Sequence, residues 1–231
     1  MTRFRSGCYH AGVLEGESFL RRVGVIGDVH AEDADLEAVL NFLREQGDLD
    51  ALLCTGDIVD GEGDASRCCA LLREAGALTV RGNHDRWLFE MRRYESVDLS
   101  ARAYLAALPP TRRFQTPRGP LLLCHGLGDN DITRWSGYPG VYPDDGESAL
   151  QANLPLLRLL MQAQYRFVIN GHTHRRMVRT LDDLTILNAG TLQWGYERGF
   201  LIADFERAIA RFYTIAADGP EITPAEAHPL P

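Results

Sequence analysis

Five short clusters of Asp, Asn and His punctuate this chain: Gly27-Asp28-Val29-His30, Gly56-Asp57-Ile58-Val59-Asp60, Gly82-Asn83-His84-Asp85, His125-Gly126 and Gly171-His172-Thr173-His174. They supply seven candidate metal ligands: Asp28, His30, Asp57, Asn83, His125, His172 and His174. Oxygen and imidazole donors without thiolates suit Mn, Fe, Zn or Ni and argue against a structural zinc knuckle. Seven donors are too many for one ion with an open position. They fit two ions if one carboxylate bridges them. Asp28 and His30 are two residues apart, as are His172 and His174, so in an extended chain each pair points to one side.

Two divalent ions, two ionised carboxylates and a bridging hydroxide leave a local charge of roughly +1. Such a centre attracts a phosphate anion even in a chain of net charge −8. Metal coordination lowers the pKa of bound water to about 7, which makes a hydroxide nucleophile at neutral pH. A metal pair about 3.5–4 Å apart also clamps phosphoryl oxygens during in-line displacement. The chemistry implied is hydrolysis of a phosphate ester.

Each cluster follows a short apolar run. Val23 to Ile26, Ala51 to Cys54, Ala77 to Val80, Leu121 to Cys124 and Phe167 to Ile169 read as buried strands. Between them, 33–46 and 65–75 carry helical periodicity and end at Gly47 and Gly76. Residues 86–107 look helical in two pieces stopped by Pro109 and Pro110, and 147–163 mostly helical around Pro155. The segments 176–180, 185–187, 200–204 and 209–213 then read as successive strands. This order predicts an α/β protein with a mixed sheet. In open α/β sheets the carboxyl ends of the strands converge on one crevice, so the five clusters are expected to meet there. Residues 1–22 form an N-terminal extension, 23–215 the domain, and the proline- and acid-rich stretch 216–231 a loose tail. The stretch 126–150 lacks periodicity and is the candidate substrate-selecting insertion.

The bulk properties narrow the class. Hydrophobic residues make up 45% and charged residues 24% of 231, as in ordinary globular domains. All 24 basic residues are arginine, and no basic block marks a nucleic-acid footprint. Five cysteines form no CxxC pair, which fits a reducing compartment. With no apolar run of membrane-spanning length and no signal peptide, the expected location is the cytoplasm.

The motif order GDVH, GDIVD, GNHD, HG, GHTH resembles the calcineurin-like metallophosphoesterase superfamily over roughly residues 23–190. The resemblance implies a four-layer α/β/β/α sandwich of two mixed sheets. It implies two divalent metal ions. Asp28, His30, Asp57 and His174 would hold the first; Asn83, His125 and His172 the second; and Asp57 would bridge both. His84 would face the substrate, with Asp60 orienting it. The stretch Asn188-Ala189-Gly190-Thr191 looks like the family's Asn-x-Gly-Ser/Thr segment near the site.

Other features have plainer readings. His10 and His228 are taken as surface residues, Cys68 and Cys69 as core on a helix, and Glu62 and Asp64 as a solvated turn that lacks calcium-loop spacing. Arg81, Arg86, Arg175 and Arg176 are read as solvated, with Arg134 the best candidate for a phosphate contact. Trp135, Tyr138 and Tyr142 either stack on a substrate ring or pack the long loop. Trp194 lines either the site or the core.

Departures from the family pattern sort its branches. Serine/threonine phosphatases typically have an arginine after the residue matching Asp60, where this chain has Gly61, and the third motif here ends in Asp85 rather than Glu. The GHTH motif followed by strands is similar to the small bacterial and archaeal phosphodiesterase branch, several members of which carry Cys where this chain has His84. A histidine there predicts activity on monoesters as well as activated diesters of small, nucleotide-like substrates. The alternatives are a protein serine/threonine phosphatase, a dinucleoside polyphosphate hydrolase, an exonuclease, or a metal-binding scaffold without turnover.

Overall fold

A computed structural model describes residues 19–94, 97–133 and 153–231. Among these, β1 (Arg22–Ile26), α1 (Asp33–Glu45), β2 (Ala51–Cys54), α2 (Ala65–Glu74), β3 (Leu78–Thr79), α3 (Asn83–Glu90) and α4 (Leu99–Ala106) come first. They are followed by β4 (Thr111–Thr116), β5 (Gly119–Cys124), α5 (Leu154–Gln162), β6 (Phe167–Asn170), β7 (Arg176–Leu181) and β8 (Leu184–Ala189). The chain closes with β9 (Gly199–Asp204), β10 (Ile209–Ile215) and β11 (Ile222–Pro229).

The strands form two sheets, ordered β11-β10-β9-β1-β2-β3 and β4-β5-β6-β8-β7. Both are mixed. β1 runs parallel to β2 and β2 to β3, while β9 lies antiparallel to β1. In the second sheet β5, β6 and β8 are parallel, with β4 and β7 antiparallel on the edges.

Side-chain alternation along the central strands builds the layers. Val23, Val25, Leu53, Leu121, Leu123, Phe167, Ile169 and Leu187 all face into one cluster between the sheets. Their neighbours point outward. Ile26, Leu52 and Cys54 meet Leu36, Val39, Leu40, Cys68, Leu72 and Leu105 of α1, α2 and α4. Leu122, Val168 and Ile186 meet Leu156 and Leu159 of α5. The result is the α/β/β/α sandwich of two mixed sheets that the motif order implied. Burial on both faces explains why these strands read as continuous apolar runs.

Three boundaries differ from the sequence reading. The stretch from Ala216, expected to be loose, instead supplies β11, which pairs with β10 from Ile209↔Pro229 to Ile215↔Ile222. Its prolines lie on the sheet edge, Pro224 beside a register shift between Arg211 and Tyr213, where a missing N–H costs least. β4 follows directly on Pro109 and Pro110 and was not anticipated. At the other end the fold begins before residue 23: Phe19 bridges to Gln115, and the Leu20 amide donates to the Gln115 carbonyl at 2.7 Å. Residues 1–18 of the expected extension and 134–150 of the expected insertion lie outside the described residues, with Arg134, Trp135, Tyr138, Tyr142, Cys8 and His10 among them. So does the first part of the expected 147–163 helix.

Candidate metal centre

The five clusters sit at the carboxyl ends of β1, β2, β3, β5 and β6, three from one sheet and two from the other. The crevice where the sheet ends meet gathers two donor sets. Asp28, His30, Asp57 and His174 each offer one atom within 4.8 Å of the others, and so do Asp57, His125 and His172. Asp57 belongs to both sets. Asn83 Oδ1 lies 2.9 Å from His125 Nε2, beside the second set.

The backbone reaches this arrangement by turning, not by running extended. His30, Asp57, Asp60, His172 and His174 have φ values of 48°, 47°, 65°, 67° and 56°. A left-handed conformation costs a side-chain-bearing residue about 1–2 kcal/mol, and Asp and His tolerate it better than branched residues. The expected same-side pairing of residues two apart is therefore corrected. Asp28 and His30 do share a set, but through a left-handed turn at His30. His172 and His174 part company, one in each set. Strain concentrated at five positions of one crevice is the pattern of a functional site.

Short hydrogen bonds hold the turns. The His84 amide, in the first turn of α3, donates to Asp57 Oδ1 at 2.8 Å, where the positive end of the helix favours an anion. Gly82 makes that approach possible, because a Cβ there would stand 2.1 Å from Asp57 Oδ1. Asp85 ties the second cluster to the third: it accepts from the amides of Ile58, Val59 and Gly82 at 2.8, 3.3 and 2.9 Å. Asp28 Oδ1 accepts from the Thr55 hydroxyl at 3.1 Å and Oδ2 from the His172 amide at 2.7 Å. Asn188 Nδ2 donates to the Gly171 carbonyl at 2.7 Å, and the Thr191 hydroxyl to the Asp28 carbonyl at 2.8 Å. The Asn-x-Gly-Thr stretch thus braces the first and fifth clusters.

Ring orientation decides what the site can hold. His30 Nδ1 lies 3.0 Å from the Asp60 carbonyl and His125 Nδ1 2.8 Å from the Thr55 carbonyl. Each Nδ1–H donates there, so in the neutral ring Nε2 carries its lone pair toward the crevice. Each Nε2 meets another group of the site. His30 Nε2 is 3.1 Å from His174 Nε2, and His125 Nε2 is 3.2 Å from Asp57 Oδ2. His174 Nε2 is 3.1 Å from Asp28 Oδ2. Imidazole nitrogens packed this closely around two buried carboxylates call for a cation or a proton between them. The donor set fits divalent metal ions.

Protein groups alone distribute protons unevenly. Burial pushes His125 down, but the nearby Asp57 and Asp28 carboxylates outweigh it and hold the ring up at about 10. Burial dominates at His30 and holds it below the ordinary histidine value despite the same two carboxylates. Burial works against the Asp57 charge, yet His125, His84 and His30 together keep it well below the usual carboxylate range. Asp85 moves the other way, up to about 6, through burial and then the charge of Asp57.

His84 stands at the rim. Its side chain is 31% exposed, its Nε2 lies 4.0 Å from Asp57 Oδ2, and its Nδ1 lies 2.8 Å from Asp60 Oδ2. Trp87 packs edge-on against its ring, and Tyr196 packs likewise against His174. Sequence reasoning missed Thr55, Trp87, Arg93 and Tyr196, which belong to no motif. Trp194 is exposed over the Arg198 guanidinium, so it is not a core residue. Arg86 is engaged by Asp131 and Glu90, and Arg176 by Glu197. Cys54, Cys68, Cys69 and Cys124 are all buried and free, packed as core residues.

The family model of calcineurin-like phosphoesterases matches residues 21–176, and the chain belongs to that family. Two relatives each share 38% identity over a short stretch. One is an uncharacterised protein of Methanocaldococcus jannaschii, matched over 63 residues, 27% of this chain and 26% of that protein. The other is serine/threonine-protein phosphatase 1 of Salmonella typhimurium, matched over 72 residues, 31% of this chain and 33% of that protein. The matches therefore span a third or less of these relatives' own lengths. Among solved structures, a metallophosphoesterase from Sphaerobacter thermophilus superposes with a TM-score of 0.59 at 22% identity, covering 85% of this chain and 89% of its own. Yfce, a phosphoesterase from E. coli, gives 0.56 at 16%, covering 91% and 100%. A single mutant of Vps29 from Entamoeba histolytica gives 0.56 at 18%, covering 91% and 99%. These likenesses establish the fold. Among the described residues no helix is long and apolar enough to cross a membrane.

Proposed function

We propose that this chain is a dinuclear-metal phosphoesterase acting on monoesters and activated diesters of small, nucleotide-like substrates. One observation carries the reading: two donor sets share a single carboxylate, Asp57, at the meeting point of five strand ends. Asp28, His30, Asp57 and His174 would hold one ion, and Asp57, Asn83, His125 and His172 the other. Divalent ions so held supply Lewis acidity toward phosphoryl oxygens and lower the pKa of bound water. Mn, Fe, Zn and Ni all suit these donors.

The chain's own groups do the remaining work. Asp57 and Asp28, both buried, set the charge of the centre and leave a phosphate-attracting excess once cations are bound. His30 and His125 are oriented by their Nδ1–H bonds to carbonyls, so their Nε2 atoms need no reorganisation on binding. His84 stands beside the centre rather than in it. With Asp60 accepting from Nδ1, a protonated His84 ring presents Nε2–H toward a phosphoryl or leaving oxygen, a contribution typically worth about 10²–10⁴-fold.

The Salmonella relative favours a second reading, a protein serine/threonine phosphatase. The backbone argues against its usual phosphate grip. Gly61 follows Asp60, and a Cβ there would lie 1.6 Å from the His30 carbonyl oxygen, which leaves no room for any side chain, arginine included. Assaying p-nitrophenyl phosphate, bis-p-nitrophenyl phosphate and a phosphoserine peptide with Mn separates the readings. The proposal expects turnover of the first two and little of the peptide. Strict diesterase behaviour refutes the monoester part, and preference for the peptide favours the alternative.

A further inference from the structure

Arg93 belongs to no motif and lies beyond the end of α3, yet its Nη2 donates to Asp60 Oδ1 at 2.9 Å. The other oxygen of the same carboxylate, Oδ2, accepts from His84 Nδ1 at 2.8 Å. Asp60 is therefore gripped from both sides, by the ring on one and the guanidinium on the other. A local reversal delivers the arginine: Arg92 takes φ of 54°, and the Arg93 amide donates back to the Leu88 carbonyl at 2.9 Å.

The backbone end of Asp60 is already fixed. Its φ is 65°, and its carbonyl accepts from His30 Nδ1 at 3.0 Å. Its carboxylate is another matter, because the last torsion of an aspartate is broad and shallow. One hydrogen bond to one oxygen lets the plane swing, and the His84 ring swings with it. A second bond to the other oxygen fixes the plane.

We propose that Arg93 is a positioning residue for the phosphoester chemistry, locking the Asp60 carboxylate so that His84 Nε2 stays directed at the reacting phosphoryl group. This rests on the phosphoesterase reading above. The Arg93 side chain is 53% exposed and that of Asp60 19%. An ion pair so open to water is expected to change turnover by a factor of about two to five.

A double-mutant cycle tests it, with Mn, on p-nitrophenyl phosphate and on an alkyl phosphate whose leaving group needs more help. Arg93→Ala is expected to lower kcat about two- to five-fold with KM unchanged. The loss should be greater on the alkyl ester, and Arg93→Lys should recover most of it. In a His84→Ala background the same change should have no further effect, because the ring it positions is gone. An equal loss in that background overturns the proposal, since it marks a general structural role. So does a raised KM at constant kcat, which marks direct phosphate binding. Wild-type protein inert toward every phosphoester removes the reading beneath the proposal, and the proposal with it.

Discussion

The two donor sets share Asp57 but are built differently. The first draws Asp28 and His30 from one turn after β1, adds Asp57 from the neighbouring strand, and crosses to the second sheet only for His174. The second takes Asp57 from one sheet and His125 and His172 from the other, with Asn83 Oδ1 beside it at 2.9 Å from His125 Nε2. Its geometry therefore depends on how the sheets pack, whereas the first depends mainly on local turns. Proton balance differs as well. His125 is held up at about 10 by Asp57 and Asp28 against the opposing pull of burial, while burial holds His30 below the ordinary histidine value. On the dinuclear proposal, a metal entering the second pocket would displace a proton from His125.

The largest effect should come from removing what the pockets share. Asp57→Asn is expected to empty both, taking metal content from two ions per chain to near zero and activity down by about three orders of magnitude or more. Elemental analysis beside a Mn-dependent assay checks it; retention of one full equivalent would separate the pockets. His84→Ala probes a residue outside both. Metal content should stay at two while turnover falls about 10²–10⁴-fold, and loss of metal would move His84 into the ligand set.

Much of this comparison was legible in the sequence, and the reasons are specific. Strands buried on both faces announce themselves as apolar runs, so the ends that carry Asp28, Asp57, Asn83, His125 and His172 could be found without coordinates. The left-handed turns could not. Spacing suggested an extended Asp28-x-His30 and His172-x-His174, yet φ is positive at three of those four residues, and the second pair divides between pockets. β11 was hidden because Pro224 and Pro229 read as breakers, while an edge strand tolerates them. Arg93 reaches Asp60 only through the reversal after α3, a contact that no pattern of residue types encodes.

Smaller effects sharpen the contrast between pockets. His172→Ala and His174→Ala should each leave one ion bound, with activity reduced about a hundredfold. Only the ion remaining after His174→Ala, which His125 helps to hold, should bind with strongly pH-dependent affinity. Titration with Mn at several pH values between 6 and 9 distinguishes the two variants, and equal pH dependence would erase the asymmetry.

The smallest effect concerns the metal-free protein. The folded-state value for His125 lies above the ordinary 6.5, at about 10. Its stabilising contribution is therefore fully present below 6.5 and lost as pH rises through 10. Thermal unfolding of chelator-treated protein should fall by about a few degrees over that window, and Mn should abolish the fall. A metal-free protein whose Tm rises with pH would contradict the assignment.

Anomalous diffraction from crystals soaked in Mn locates the bound ions outright. Two peaks about 3.5–4 Å apart are expected, one among Asp28, His30 and His174, the other among Asn83, His125 and His172, with Asp57 touching both. A single peak, or two peaks of which only one touches Asp57, would contradict it.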